Sequence, residues 1–336
     1  MKRLIDEKLK QYKANLHCHS TFSDGRLTPA QLKEEYKKRG YSVLAITDHE
    51  NLVEHHDLTD SEFLLLTGYE MFVFTLPSNH DCNSVSHLNL YSKTPHNKLL
   101  YYSPEFVYSR YNHGEERAVE CHQRKETREH TVEFVKQAVK DAHEAGFLVC
   151  HCHPTWSFED ESFADAFEDC FAMEIYNHSS YMGGFFEYNR SYYDYQSKNG
   201  RTMAIFAVDD NHDFSPIGNI YNDSFGGFTY ILAEELNYES VIQALENKNC
   251  YASTGPQIYS LTADNGKIQI YTSPAERIIF ITNTRNRKMF IAEQNESISS
   301  AEFALREIDE WLRVEVIDER GKCAFTRAYT RNELFD

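Results

Sequence analysis

The chain has 336 residues, 41% of them hydrophobic and 26% charged, with 52 acidic residues against 34 basic ones and a formal net charge of −18. Such a length buries a large core in one or two domains, and the acidic balance argues against nucleic acid as a partner, since phosphate backbones are bound through Lys and Arg. No stretch of about 18 apolar residues offers a membrane span, and the opening MKRLIDEKLKQYKANLH lacks the apolar core and cleavage site of a secretory signal, so a cytoplasmic protein is expected.

The first signal is NLHCHSTFSDG, residues 15–25. Side chains alternate faces along an extended segment, so His17 and His19 share one face, Cys18 points away, and Asp24 follows. TPAQLKEEYKKRG then predicts a helix with Thr28 as N-cap, Pro29 at its first position, Gln31 completing a capping box and Gly40 as the stop. Short apolar runs come next, each beside groups able to bind a metal. YSVLAIT runs into Asp48-His49, EFLLLTGY into Glu70, and HLNLY opens with His87. Residues 92–130 are long and polar, the character of a lid or specificity insertion, with Lys93, Arg110, Arg117 and Arg124 as cations that could reach an anionic substrate.

Beyond it, TVEFVKQAVKDAHEAG predicts a helix from Thr131 to Gly146, and FLVC meets His151-Cys152-His153 with both histidines on one face. CFAMEIYN carries Glu174 and Asn177 and ends at His178. A helix around Arg190 leads to TMAIFAV, which ends at Asp209, Asp210 and His212. The runs have the length and side-chain character of buried parallel strands. Alternation with helices predicts an α/β barrel or parallel sheet, with the polar residues gathered at the strand ends where barrel sites form. From residue 256 the pattern changes to hairpins around Asp264-Asn265-Gly266 and DERG. That predicts a small β-sandwich domain over 256–336, after a barrel over 1–255.

A lone histidine is more often structural than a ligand. Here many ionisable groups would be buried together, at a desolvation cost that a cation removes. The eight cysteines form no Cys-x-x-Cys pair, so they are expected to be reduced and buried rather than zinc ligands.

Taken in order over about residues 14–255, HCHSTFSDG, AITDHENL, GYE, HLNLY, CHP and VDDNH resemble the successive motifs of the PHP (polymerase and histidinol phosphatase) metallohydrolases. VIQALENKNCYASTGP and the strand-rich end are similar to the carbaryl-hydrolase-like branch. The resemblance implies a distorted (β/α)7 barrel with two or three divalent metal ions, for which the nitrogen and oxygen ligands allow Mn, Fe or Zn. It implies that His17, His19, Glu70 and Asp210 hold one metal. Glu70 would bridge to a second, completed by His87 and His153, and Asp24, His49 and His212 would hold a third. It further implies hydrolysis of a small phosphomonoester by hydroxide bridging the metals, with no protein nucleophile. Asp48 would orient a ligand, and His151 would act as a supporting donor or substrate contact. Asn177, His178 and Arg190 are candidate substrate contacts. Two other readings stay open: hydrolysis of carboxyl esters, carbamates or amides on the same centre, and a non-catalytic metal-bearing binding module. Oligomeric state is left open.

Overall fold

The computed structural model describes residues 1–74, 85–97, 99–100, 120–121 and 128–335. The first 255 residues run β1 (Lys2–Ile5), β2 (Lys10–Asn15), α1 (Pro29–Lys38), β3 (Val43–Ile46), β4 (Leu64–Phe74), β5 (Val85–Ser92), β6 (Leu99–Leu100), β7 (Glu120–Cys121), α2 (Val132–Glu144) and β8 (Phe147–His151). They continue with β9 (Ala172–Asn177), α3 (His178–Ser180), α4 (Arg190–Lys198), β10 (Ala204–Val208), β11 (Phe228–Ala233), α5 (Tyr238–Glu246) and β12 (Cys250–Ser253).

Seven strands make the expected distorted α/β barrel, in the order β10-β9-β8-β5-β4-β3-β2. Its two ends meet just past β2 and β10, where Asp210 N donates to His17 O at 2.9 Å and His19 N to Asn211 O at 3.1 Å. Six of the strands run parallel. β5 departs from the expected pattern, because it follows β4 as an antiparallel neighbour and also opposes β8. The reversal brings the start of β5, rather than its end, to the mouth, and His87 lies opposite Phe72 near that start.

Helix α1 forms where the capping box predicts it, with Thr28 Oγ1 accepting from Gln31 N, and it buries Leu32 and Tyr36. Thr131 caps α2 in the same way, and Val135, Ala138, Val139 and Ala142 form its buried stripe. Leu16, Val43, Leu66, Leu148, Cys150, Phe206 and Val208 share one buried cluster, while Val149, Ile175 and Ile205 pack with the α2 stripe in another. The alternation along each strand separates these two layers. Cys18, Cys150, Cys152, Cys170, Cys250 and Cys323 are free and buried.

The remaining elements are β13 (Ile258–Asp264), β14 (Lys267–Ala275), β15 (Arg277–Thr282), β16 (Lys288–Ile291), β17 (Ile298–Ala304), β18 (Trp311–Ile317), β19 (Cys323–Phe325), β20 (Tyr329–Thr330) and α6 (Arg331–Phe335). Because β2 also pairs with β11, the barrel sheet runs on through β12, β19, β18 and β15 to β16. A second sheet, β1-β13-β14-β17, forms the other layer of a sandwich, and Ile5, Leu261, Ile270, Phe280, Val314 and Val316 share its core. The β13–β14 turn places Asn265 at φ 47° and Gly266 at φ 78°, the left-handed pair that a two-residue hairpin loop requires.

Most of the insertion 92–130, including Arg110, Arg117 and Arg124, lies outside the described residues; Lys93 pairs with Glu246 at 2.7 Å. Among the described residues no helix is long and apolar enough to cross a membrane.

Candidate metal centre

Glu70, wholly buried on β4, is the hub of the mouth. Its Oε1 lies 2.8 Å from His87 Nδ1 and 3.3 Å from both His17 Nε2 and His153 Nε2. Its Oε2 lies 2.5 Å from His49 Nδ1 and 3.5 Å from His19 Nε2. Asp210 Oδ1 sits 3.1 Å from His17 Nε2 and 2.9 Å from His19 Nε2, and those two nitrogens are 3.2 Å apart. Asp24 Oδ1 faces His49 Nε2 and His212 Nε2 at 3.5 Å each, and His19 Nδ1 at 4.0 Å. Among the described residues four groups have ligand atoms all within 4.8 Å of one another, and three of them consist of the expected ligands: His17, His19 and Glu70; Glu70, His87 and His153; and His19, Asp24, His49 and His212. With Asp210 against the first, all nine residues named as ligands from the sequence come together.

The backbone bends to achieve this. His153 has φ 26° and Asp210 φ 55°, left-handed values uncommon away from glycine and concentrated at functional sites.

Electrostatically the cluster is divided against itself. Burial alone would raise the Glu70 carboxyl, but the imidazoles of His87, His17 and His49 outweigh it and hold it well below the usual carboxylate range. Burial opposes protonation of His153, yet Glu70, Asp210 and Glu174 carry it up to about 9. Burial, with His49 and His212 alongside, drives His19 down to about 3. Buried Asp24 Oδ1 and Glu70 Oε2 accept no hydrogen bond of normal geometry, although buried acceptors are almost always satisfied. Clusters of buried His, Asp and Glu in this state are able to bind metal ions, which offer a carboxylate and several imidazoles one shared partner.

Around the cluster lies a layer of orienting groups. Glu174 Oε1 is 2.7 Å from His17 Nδ1, and its Oε2 accepts from His153 N at 3.0 Å and Asn177 Nδ2 at 2.9 Å. Asn177 Nδ2 also reaches Asp210 Oδ2 at 3.0 Å. Asp48 accepts from Ser20 N, Ser20 Oγ and Ser23 Oγ at 2.8, 2.7 and 2.6 Å, and Ser23 Oγ lies 3.4 Å from His19 Nδ1. Asp209 takes hydrogen bonds from Tyr36, Phe225, Gly226 and Gly227 and binds no member of the cluster. Glu187, wholly buried, accepts from Thr155 N and Trp156 N at 2.9 Å each. That grip presents the half-buried Trp156, whose ring lies 5.1 Å from the His87 ring and 4.9 Å from that of His153.

Three residues singled out from the sequence lie apart from the cluster. His151 stacks on Phe167 at 3.5 Å and contacts Glu159 Oε2 at 2.5 Å, on the outer face of β8. Cys152 takes the inner position instead, grouped with His17 and Glu174. The shared face expected for His151 and His153 is lost because His153 leaves the strand with a positive φ, which returns its ring to the mouth out of phase with the alternation. His178 turns its Nδ1 to Tyr176 Oη at 2.7 Å. Arg190 pairs with Glu315 at 3.1 Å and lies over Phe325, at the sandwich. Glu187 carried no sequence signal at all, since nothing local ties it to residues 155–156. Glu174, with Asn177 and His178, resembles a family position near the site, but nothing in the sequence pairs it with His17.

A barrel whose strand ends converge on His, Asp and Glu clusters able to bind metal defines a metal-site α/β-barrel protein. Residues 15–175 match the family model of the PHP domain. A 5'-3' exoribonuclease of Haemophilus influenzae is 38% identical over 63 residues, covering 18% of this chain and 23% of that protein. DNA polymerase/3'-5' exonuclease PolX of Bacillus subtilis is 49% identical over 41 residues, 12% of this chain and 7% of its own. The matched segments thus span less than a quarter of either relative. A solved two-domain protein from Bacteroides vulgatus, containing a predicted PHP-like metal-dependent phosphoesterase, aligns over 96% of this chain and 95% of its own, at 13% identity and a TM-score of 0.46.

Proposed function

We propose that this protein is a metal-dependent hydrolase of a small phosphomonoester. In this reading His17, His19, Glu70 and Asp210 hold one divalent ion, Glu70, His87 and His153 a second, and Asp24, His49 and His212 a third. The observation that carries it is the position of Glu70, one buried carboxylate facing three imidazoles through Oε1 and two through Oε2. The nine proposed ligands, all oxygen and nitrogen donors, suit Mn, Fe or Zn. Bound there, such ions supply Lewis acidity toward water and toward the oxygens of the ester.

The chain's own residues do the rest. Glu174 holds the Nδ1 proton of His17, which fixes the tautomer and leaves Nε2 free to face Asp210 and Glu70. Asn177 restrains the second oxygen of Asp210, so that Oδ1 stays directed at His17 and His19. Asp48 fixes the 20–23 turn behind His19. Phe72, stacked on His87 at 4.3 Å, keeps water from that side of the site. We assign this chemistry to the barrel of residues 1–255 and a stabilising role to the sandwich of 256–336. The free buried thiols suit a reducing, cytoplasmic setting.

A small substrate is favoured over a nucleic acid by the charge of the mouth. The segments 16–28, 47–63, 152–171, 178–189 and 209–227 contain a single Lys or Arg, Arg26. The same scarcity favours a second reading, hydrolysis of neutral carboxyl esters or carbamates, the substrates of the branch that residues 241–256 resemble. Phosphate release from a panel of phosphomonoesters, with Mn²⁺ and with a chelator, tests the first reading. A parallel ester and carbamate panel tests the second. Turnover by neither panel, with metal bound, favours a binding module.

A further inference from the structure

We propose that Trp156 is the platform on which the leaving group of the substrate stacks, so that the ester cleaved is that of an alcohol bearing an aromatic ring. This deepens the phosphomonoester reading and rests on it. The first argument is charge. Arg26 is the one cation of the mouth segments described above, and its guanidinium lies over Phe214 at 4.9 Å, with Phe214 stacked in turn on His212 at 5.5 Å. Beside His87 and His153, on the opposite flank, those segments hold no cation, and Arg128, which reaches that side at Phe72 O, is buried and held by Glu50 rather than presented to a substrate. What the segments offer there is an indole.

The second argument is how that indole is held. A wholly buried carboxylate, Glu187, is committed to two successive backbone N–H groups at Thr155 and Trp156, and Thr155 Oγ1 donates to Asn189 Oδ1 at 2.7 Å. Burying a carboxylate is costly unless it is well satisfied, and here the satisfaction fixes one half-exposed ring rather than a packed core. The half-buried indole stands 4.9–5.1 Å from two candidate ligand rings, so it lies next to an ester oxygen engaged at the Glu70, His87 and His153 group. Aromatic pairs gain about 0.5–1.5 kcal/mol beyond area burial, and the upper end of that range is about tenfold in rate or affinity. The step is hydrolysis: a P–O bond to water forms, the P–O bond to the alcohol breaks, and the alcohol departs with a proton from water, leaving phosphate.

Benzyl phosphate and cyclohexylmethyl phosphate, whose alcohols differ in aromaticity far more than in acidity, give the test with the metal-loaded full chain. Wild type is expected to favour the benzyl ester by about tenfold in kcat/KM. Trp156→Ala should lose that preference, and Trp156→Phe should keep most of it. Metal content, measured on each variant, separates a lost platform from a damaged centre. Equal rates on the two esters in wild type, or a preference that survives Trp156→Ala, overturn the platform and leave the phosphoester reading standing. No phosphate release from either ester overturns both.

Discussion

Glu174 touches candidate ligands on two sides: its Oε1 lies 2.7 Å from His17 Nδ1, and through Asn177 its Oε2 is tied to Asp210. Since β9 neighbours both β8 and β10, one carboxylate on that strand sets the aim of groups reaching the mouth from either side of the closure. Carboxylates behind metal-binding histidines tune affinity by roughly 10–100-fold. Glu174→Gln should therefore weaken metal binding by that order with the fold retained, as read by metal titration and circular dichroism. Unchanged affinity would assign Glu174 a purely structural role.

Metal stoichiometry separates the three groups. Among the described residues Asp24 falls in one group, with His19, His49 and His212, whereas Glu70 faces five imidazoles. Asp24→Ala should lower bound metal by one equivalent, and Glu70→Gln should lower it by more. Elemental analysis after dialysis reads both, and identical losses in the two variants would refute the grouping.

Arg128 and Glu50 form a buried ion pair at the edge of the site. The guanidinium binds both Glu50 oxygens, one through Nη2 at 2.9 Å, while Glu50 Oε1 also accepts from Phe72 N at 2.7 Å. Removing one partner of such a pair costs roughly 3–5 kcal/mol, because the other charge is left buried and uncompensated. Arg128→Met should thus destabilise strongly in urea unfolding, and adding Glu50→Gln should recover part of the loss. If the double variant is the less stable of the two, the uncompensated charge is not the cause.

Acid should act in part through His55, outside the cluster that holds His19. Burial pushes this imidazole down to about 4, against the smaller opposing pull of Asp57 and Glu54. With the folded value below the unfolded one of about 6.5, the contribution is complete above pH 6.5. It is lost as pH falls through about 4, on the order of 3 kcal/mol in all. His55→Phe should flatten the decline in melting temperature between pH 7 and 4.5. Parallel declines in wild type and variant would place the acid sensitivity elsewhere.

Much of this was legible in the chain itself, because the relevant signals are local. Thr28, Pro29 and Gln31 specify the start of α1 within four residues, and Asn265-Gly266 specify a hairpin within two. His17, His49, Glu70, His87, His153 and Asp210 stand at apolar runs, so the pattern of runs leads to the mouth, while the full set of nine comes from the resemblance to the PHP motifs. What could not be read depends on long-range pairing or on one dihedral. The antiparallel course of β5 is settled by pairing with β4 and β8, and the positive φ of His153 moves His151 outward and Cys152 inward. Glu187 meets Trp156 across 31 positions of sequence, and Arg190 meets Glu315 across 125. Neither distance leaves a trace in spacing.

The pairing of β1 with β13 has a bearing on how the chain is made. Lys2 lies opposite Ala263, and Ala252 at the far edge of the barrel sheet pairs with Phe325. A ribosome delivers the first strand long before its partner exists, and a fragment ending near residue 255 would carry β1 unpaired, β12 as an open edge and one bare apolar face of the sandwich. Open edges and bare apolar faces invite aggregation. The barrel, although it holds the whole candidate centre, is therefore expected to come out insoluble when expressed without the sandwich.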